Sequence, residues 1–167
     1  MFRKLAIFAL IVAFAAPPLP SLAQGKKDSV VMGMTLEPPG LDPTTAAAAA
    51  IAEVTLYNLY ETLTKINEDG SVSPLLAESW QASADLKTYT FKLRKGVKFH
   101  NGEPFDSAAV KFSFDRAAIP TSTNKDKSLY QAFESVTAPD ADTIVVVVKY
   151  SEPNFAVPAG SGVGLDR

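Results

Sequence analysis

A switch of hydrophobic period between residues 89 and 116 constrains the fold more than any other feature of this 167-residue chain. Tyr89, Phe91 and Leu93 alternate with Thr90, Lys92 and Arg94, the period of two that gives a strand one buried face. Lys95-Gly96 ends that strand, and His100-Asn101-Gly102-Glu103 is expected to turn, because Asn and Gly accept positive φ at little cost. Asp106 stands where an N-cap is needed, its carboxylate able to accept the free amide hydrogens of a turn opened by Ser107. Beyond it Val110, Phe114 and Ala117 fall on one helix face, and Phe112 lies about 200° round from Val110. That helix is therefore expected to be covered on more than one side. Ala109 holds the third helical position, so the reciprocal half of a capping box is missing.

Elsewhere the pattern is read in shorter pieces. Residues 30–36 are apolar enough, and rich enough in Val and Met, for a buried strand, which Glu37-Pro38-Pro39-Gly40 cannot continue. Over residues 46–63 the spacing predicts an amphipathic helix, with Ala52, Leu56, Leu59, Tyr60 and Leu63 as its apolar stripe and Thr55, Asn58 and Thr62 opposite. Residues 65–69 read as a strand running into a turn at Gly70, and residues 79–82 as a further strand. Residues 118–127 carry Pro, Thr, Ser and Asn and suit a loop. Val136 and residues 143–148 flank Pro139-Asp140-Ala141-Asp142 as a hairpin. Its second arm, continuous Ile and Val from 144 to 148, is expected to be covered on both faces. The expected core joins Phe91, Leu93, Val110, Phe114 and Val146, with Tyr57 or Tyr60 nearby.

The N-terminus places the chain in a compartment. Arg3 and Lys4 precede an apolar run over residues 5–16, too short for a comfortable membrane span, and Pro17, Pro18 and Pro20 break it. Ser21-Leu22-Ala23 supplies small residues at both positions a signal peptidase requires, so residues 1–23 read as a signal peptide cleaved after Ala23. The chain has no cysteine, so it offers no disulfide, no thiolate metal site and no lipidation cysteine. The expectation is a freely diffusing periplasmic protein. The formal charge is −2, becoming −4 when Arg3 and Lys4 leave, with no basic block beyond the short Lys26-Lys27 pair. Nucleic acid is not an expected partner.

Residues 89–116, read in full as YTFKLRKGVKFHNGEPFDSAAVKFSFDR, resemble the signature of the type-5 solute-binding proteins of ABC transporters, the periplasmic peptide and nickel receptors. Leu41-Asp42-Pro43, then Tyr57-Asn58-Leu59-Tyr60-Glu61-Thr62-Leu63, then Pro74-Leu75-Leu76-Ala77-Glu78-Ser79-Trp80 match the family in its order. One departure is Ala109, where the family has an acidic residue. The resemblance implies an α/β fold, a mixed α+β small lobe belonging to a partial periplasmic-binding-protein type II-like fold that lacks its second lobe. On that reading residues 24–45 are the first strand and cleft loop of the large lobe, residues 46–152 the small lobe, and residues 153–167 a truncated return to the large lobe. The chain is far shorter than the family, so it is expected to be an amino-terminal part of a receptor, and its tail to lack a packing partner.

The resemblance also implies the function: capture of a peptide or similar solute by closure of two lobes, and delivery to the membrane subunits of an ABC importer. In the family the loop after Leu41-Asp42-Pro43 enters the cleft, which makes Thr44 and Thr45 the candidate ligand-binding residues. The competing reading is that Asp42-Pro43 only caps and starts the next helix. No catalytic residue is expected. His100 is the only histidine, it sits in the family's Phe-His-x-Gly turn, and a secreted hydrolase would need a nucleophile with a base beside it. His100 with Glu103 or Asp106 lacks a metal-ligand spacing, so no metal or other cofactor is expected. Trp80 reads as core, Glu61 as a solvated charge at a helix end, and the scattered glycines build no phosphate loop. A monomer is expected, and a non-functional remnant of such a receptor is the alternative. N-terminal sequencing of the exported protein should begin at Gln24; a form that begins at Met1 would remove the signal-peptide reading.

Overall fold

The computed structural model describes residues 29–45, 48–153, 155 and 165–166. The expected signal peptide, its cleavage site and Lys26-Lys27 lie outside the described residues. The chain divides into two units, Met1–Gly33 and Met34–Arg167. Of the first, the described residues 29–33 carry no regular secondary structure.

The second unit is built on a four-stranded antiparallel sheet. Its order is β4 (Ala77–Ala82), β5 (Thr88–Leu93), β7 (Thr143–Val148), β6 (Phe133–Asp140). The register follows from alternation: Tyr89 pairs with Val146 and Phe91 with Ile144, so the apolar residues of the two central strands share one face. That face is covered by α2 (Ser107–Ala118) and α3 (Lys127–Gln131). Val110, Phe114 and Ala117 of α2 are buried as the spacing requires, and the five expected core residues join one cluster.

Capping decides where α2 starts. The Ala109 N–H donates to the Asp106 carboxylate at 2.9 Å, which satisfies one of the orphan donors of the first turn. Ser107 ties the same end to the β6–β7 turn: its N–H donates to the Ala141 carbonyl at 2.9 Å and its hydroxyl to the Asp140 carbonyl at 2.5 Å. Upstream, the Gly102 N–H donates to the Phe99 carbonyl and Gly102 takes φ +87°, so the expected turn forms with Gly rather than Asn in the left-handed region.

Several expectations fail, each for a local reason. The helix expected over residues 46–63 is α1 (Ala49–Thr55) alone, seven residues long. Thr55 donates back to the Ile51 carbonyl at 2.7 Å, and the Asn58 amide reaches the carbonyls of Val54 and Glu53 at 3.2 and 3.3 Å. The Asn58 amide takes carbonyls that a continuing helix would use, and the back-bond of Thr55 weakens the last turn. Tyr57 then adopts φ +64°, and β1 (Tyr60–Glu61) follows, paired with β8 (Leu165–Asp166).

The stripe holds only in part: Leu63 is buried and Asn58 exposed as expected, and the departures are two threonines and a leucine. Thr55 and Thr62 are fully buried, whereas Leu59 is 39% exposed. Thr62 donates to the Thr64 carbonyl at 2.6 Å, which makes its burial tolerable. Glu61 is buried in a strand rather than solvated at a helix end. Tyr57 and Tyr60 are half-buried and stand outside the main core; the Lys65 ammonium lies 5.3 Å from the Tyr57 ring centre.

Residues 30–36 form no strand; Val31 is 96% exposed and Val30 86%, because an apolar strand needs sheet neighbours and none among the described residues pairs with it. Phe112 is 66% exposed, so α2 is covered on one side only. In β7, Ile144, Val146 and Val148 are buried but Val145 and Val147 only half-buried. Their continuous apolar run reflects the central place of the strand rather than full cover on both faces. Where a strand over residues 65–69 is expected to run into a turn at Gly70, β2 (Thr64–Ile66) is shorter and pairs with a second arm, β3 (Val72–Pro74), across that turn.

The tail departs most. Phe155 is buried to 2% exposure, its ring centre 4.6 Å from Tyr89 and 5.4 Å from Phe133. The Tyr89 hydroxyl donates to the Glu152 carbonyl, so this return segment has packing partners in the lobe. Phe114, Tyr130 and Phe133 complete the aromatic group with centres 5.5–5.7 Å apart.

Two predictions follow from this packing. Phe114→Ala should cost about 3–5 kcal/mol and Phe112→Ser less than about 0.5 kcal/mol in denaturant unfolding; similar losses would place the wrong face of α2 inward. At the β6–β7 turn, the Thr143 hydroxyl and the Asp142 N–H each donate to the Asp140 carboxylate at 2.9 Å, and these bonds hold its pKa below the ordinary 3.8. A carboxyl depressed on folding contributes stability above its ordinary value that is lost as pH falls through the folded value. The thermal midpoint should therefore drop on acidification below 3.8, and drop less in Asp140→Asn. An equal drop in both would remove this turn as a source of acid sensitivity.

Candidate functional site

The loop after Leu41 is held by one carboxylate. Asp42 Oδ1 accepts the Thr44 N–H at 2.8 Å and the Thr44 hydroxyl at 2.7 Å, while the Thr45 hydroxyl donates to the Asp42 carbonyl at 3.3 Å. This knot matches the tendency of Asp to bond the backbone two residues on. It turns the chain so that the Thr44 carbonyl accepts the Lys125 N–H at 2.7 Å, docking the loop against the segment that follows α2.

That segment, residues 119–126, is itself built from short polar side chains. The Asn124 N–H donates to the Ser122 hydroxyl at 3.2 Å and the Asp126 N–H to the Asn124 side-chain oxygen at 2.8 Å. Around the α2 C-terminus the Lys127 ammonium donates to the Pro120 carbonyl and the Gln131 amide to the Ala118 carbonyl, which supplies positive charge and donors where a helix end has carbonyls unsatisfied.

Between the loop and α2 lies a solvent-open pocket of about 210 Å³. Asp42 and Thr44 form one side, Ser113 and Arg116 of α2 another, and residues 121–124 the rim. Of the two threonines expected to meet solute, Thr44 lines this pocket; Thr45 is exposed, its hydroxyl turned back to Asp42, and is not part of the lining. Asp42-Pro43 does not start a regular helix directly, since α1 begins at Ala49.

Sequence reasoning missed Arg116, Ser113 and the Thr121-Ser122-Thr123-Asn124 rim. The only linear signal was the polar run after Pro120, which reads as any loop would. Their meeting with Asp42 depends on a contact between segments some eighty residues apart.

The other singled-out residues do not join them. His100 is exposed at its turn, and Trp80 is partly buried against the core. Among the described residues no group of three His, Cys, Asp or Glu side chains is arranged to hold a metal. No described helix is long and apolar enough to cross a membrane.

The profile of the bacterial extracellular solute-binding proteins, family 5 Middle, matches residues 71–162, more than half of the chain. The chain belongs to this family. A glutathione-binding protein, GsiB, of Salmonella paratyphi A is 36% identical over 145 residues, which are 84% of this chain and 27% of the relative. The oligopeptide-binding protein AppA of Bacillus subtilis, solved with a nonapeptide, superposes with a TM-score of 0.70 at 27% identity, covering 77% of this chain and 26% of that one. NikZ of Campylobacter jejuni, solved with Ni(L-His), gives 0.67 at 25% identity over 76% of this chain and 25% of NikZ.

The chain therefore spans about a quarter of the length of the relatives it matches. The mixed α/β architecture is that of a part of a periplasmic binding protein. Its relatives are solute-binding proteins.

Proposed function

We propose that this protein binds a peptide or a similarly small, amino-acid-derived solute for uptake by an ABC importer, acting in the periplasm, as a monomer and without enzymatic activity or a cofactor. In this reading residues 24–45 carry the loop that meets solute, residues 46–152 the supporting lobe, and residues 153–167 the return of the chain. Thr44 and Thr45 face the solute, Thr44 through the pocket and Thr45 through exposed backbone at its edge.

The observation that carries the reading is the pocket itself: in a chain of a solute-binding family, the loop named from sequence lines a concave polar site. The ligands named for the relatives support the class, since glutathione, a nonapeptide and a histidine complex are all amino-acid derivatives. The mechanism is capture by groups already in place, with water excluded when the site is closed over.

Two measurements test it. Disrupting the gene in the source bacterium should abolish uptake of one class of labelled di- to pentapeptides; uptake unchanged for every peptide would overturn the transport reading. Calorimetric titration of the 167-residue chain with the same peptides should give no saturable micromolar heat, because an open pocket of about 210 Å³ lies below the roughly 300–1,000 Å³ that encloses a drug-sized ligand. Micromolar saturation would mean that the complete site lies within these residues.

A further inference from the structure

The pocket holds two opposite charges that do not neutralise each other. Asp42 and Arg116 both line it, yet no ion pair within 4.0 Å joins them. The described ion pairs are Lys95 with Asp142, Lys111 with Asp115 and Lys125 with Asp126. Asp42 spends Oδ1 on Thr44 while its Oδ2 accepts no hydrogen bond from the described residues, and Arg116 has no hydrogen bond or ion pair among them. The neighbouring cations are engaged elsewhere, Lys125 by Asp126 and Lys127 by the Pro120 carbonyl; Asp115, beside Arg116, is taken by Lys111. Around the pair stand hydroxyls of Ser113, Thr121 and Thr123 that make no hydrogen bond with other described side chains or backbone.

A separated cation and anion across a small polar concavity match a ligand that carries the complementary pair on adjacent atoms. We propose that this pocket selects a small zwitterion, the ammonium and carboxylate of a free α-amino acid or of an equivalent compact group on a larger solute. Arg116 would take the carboxylate, for which its planar fork of donors is suited, Asp42 Oδ2 the ammonium, and the hydroxyls of Ser113, Thr121 and Thr123 the remaining oxygens and hydrogens. A ligand with only one charge leaves the other protein charge facing it unpaired.

The inference rests on the solute-binding reading and names the chemistry of that same site. Because both charges are open to water, each contact is screened and worth little more than about a fivefold change in affinity. The selectivity therefore lies in the requirement for both.

The test follows backbone amide signals of the whole chain by NMR during titration with three probes: L-alanine, acetate and ethylammonium. L-alanine should shift the signals of Thr44, Ser122 and Asn124 saturably, at concentrations about fivefold or more below those the singly charged probes require. Arg116→Gln should remove that advantage over ethylammonium. Asp42→Asn keeps an oxygen acceptor for Thr44 while deleting the charge, and should remove the advantage over acetate. Phe112→Ser, on the exposed face of α2, should leave it unchanged.

Equal responses to all three probes, or an advantage retained in both charge variants, would overturn the proposal. If peptide uptake is lost on gene disruption while L-alanine leaves the pocket signals unmoved, this inference falls and transport stands. If L-alanine binds as described while uptake is unaffected by disruption, the inference stands and transport falls.

Discussion

The aromatic group centred on Phe133 is the contact on which the arrangement of this protein depends. Its ring centre lies 5.4–5.6 Å from those of Phe114, Tyr130 and Phe155, so one strand residue joins α2, α3 and the segment after β7. Rings at these separations and tilts gain more than their buried area alone. The cluster fixes α2 against the sheet and, through α2, sets where Ser113 and Arg116 emerge. Phe155 belongs to it, so this residue beyond Pro153 has packing partners in the lobe.

Polar side chains do the complementary work of stopping and turning elements. Asp106 starts α2, Thr55 and Asn58 stop α1, and Asp42, Asp85 and Asp140 each close a turn by accepting from nearby hydroxyl and backbone donors. Such groups satisfy donors and acceptors that regular structure leaves behind. At Asp42 the same device has a second consequence. By spending one carboxylate oxygen on Thr44 it orders the loop, and it leaves a negative charge beside a pocket whose other wall carries Arg116.

The molecule is divided between an apolar framework and polar surface segments. The sheet and the buried face of α2 form the framework, while the groups that line the pocket come from the 42–45 loop, the outer face of α2 and the 119–126 segment, the two loops tied together by the bond between Thr44 and Lys125. Binding residues on loops held by a packed scaffold can vary in chemistry without disturbing the core.

The sequence alone determined what is local or strictly periodic. The strand through Tyr89, Phe91 and Leu93, the cap at Asp106, the face of α2 carrying Val110 and Phe114, and the hairpin around Asp140 are all legible because each follows from the spacing of a few neighbouring residues. The family was legible for the same reason, since its motifs are contiguous. Thr44 could be named as a candidate, but not its surroundings.

What only the tertiary structure decided are outcomes in which distant groups compete. Residues 46–63 carry a helical spacing, yet side-chain bonds from Thr55 and Asn58 and a strand partner at residues 165–166 win over it. An apolar run at residues 30–36 is not a strand without a neighbour to pair with, and Phe112 is exposed because the sheet covers one face of α2 and, among the described residues, no second layer covers the other. Arg116 and Asp42 come to line one pocket across more than seventy residues of chain. No pattern of sequence spacing encodes that distance; it is set by the packing of α2 on the sheet and by one backbone hydrogen bond from Lys125.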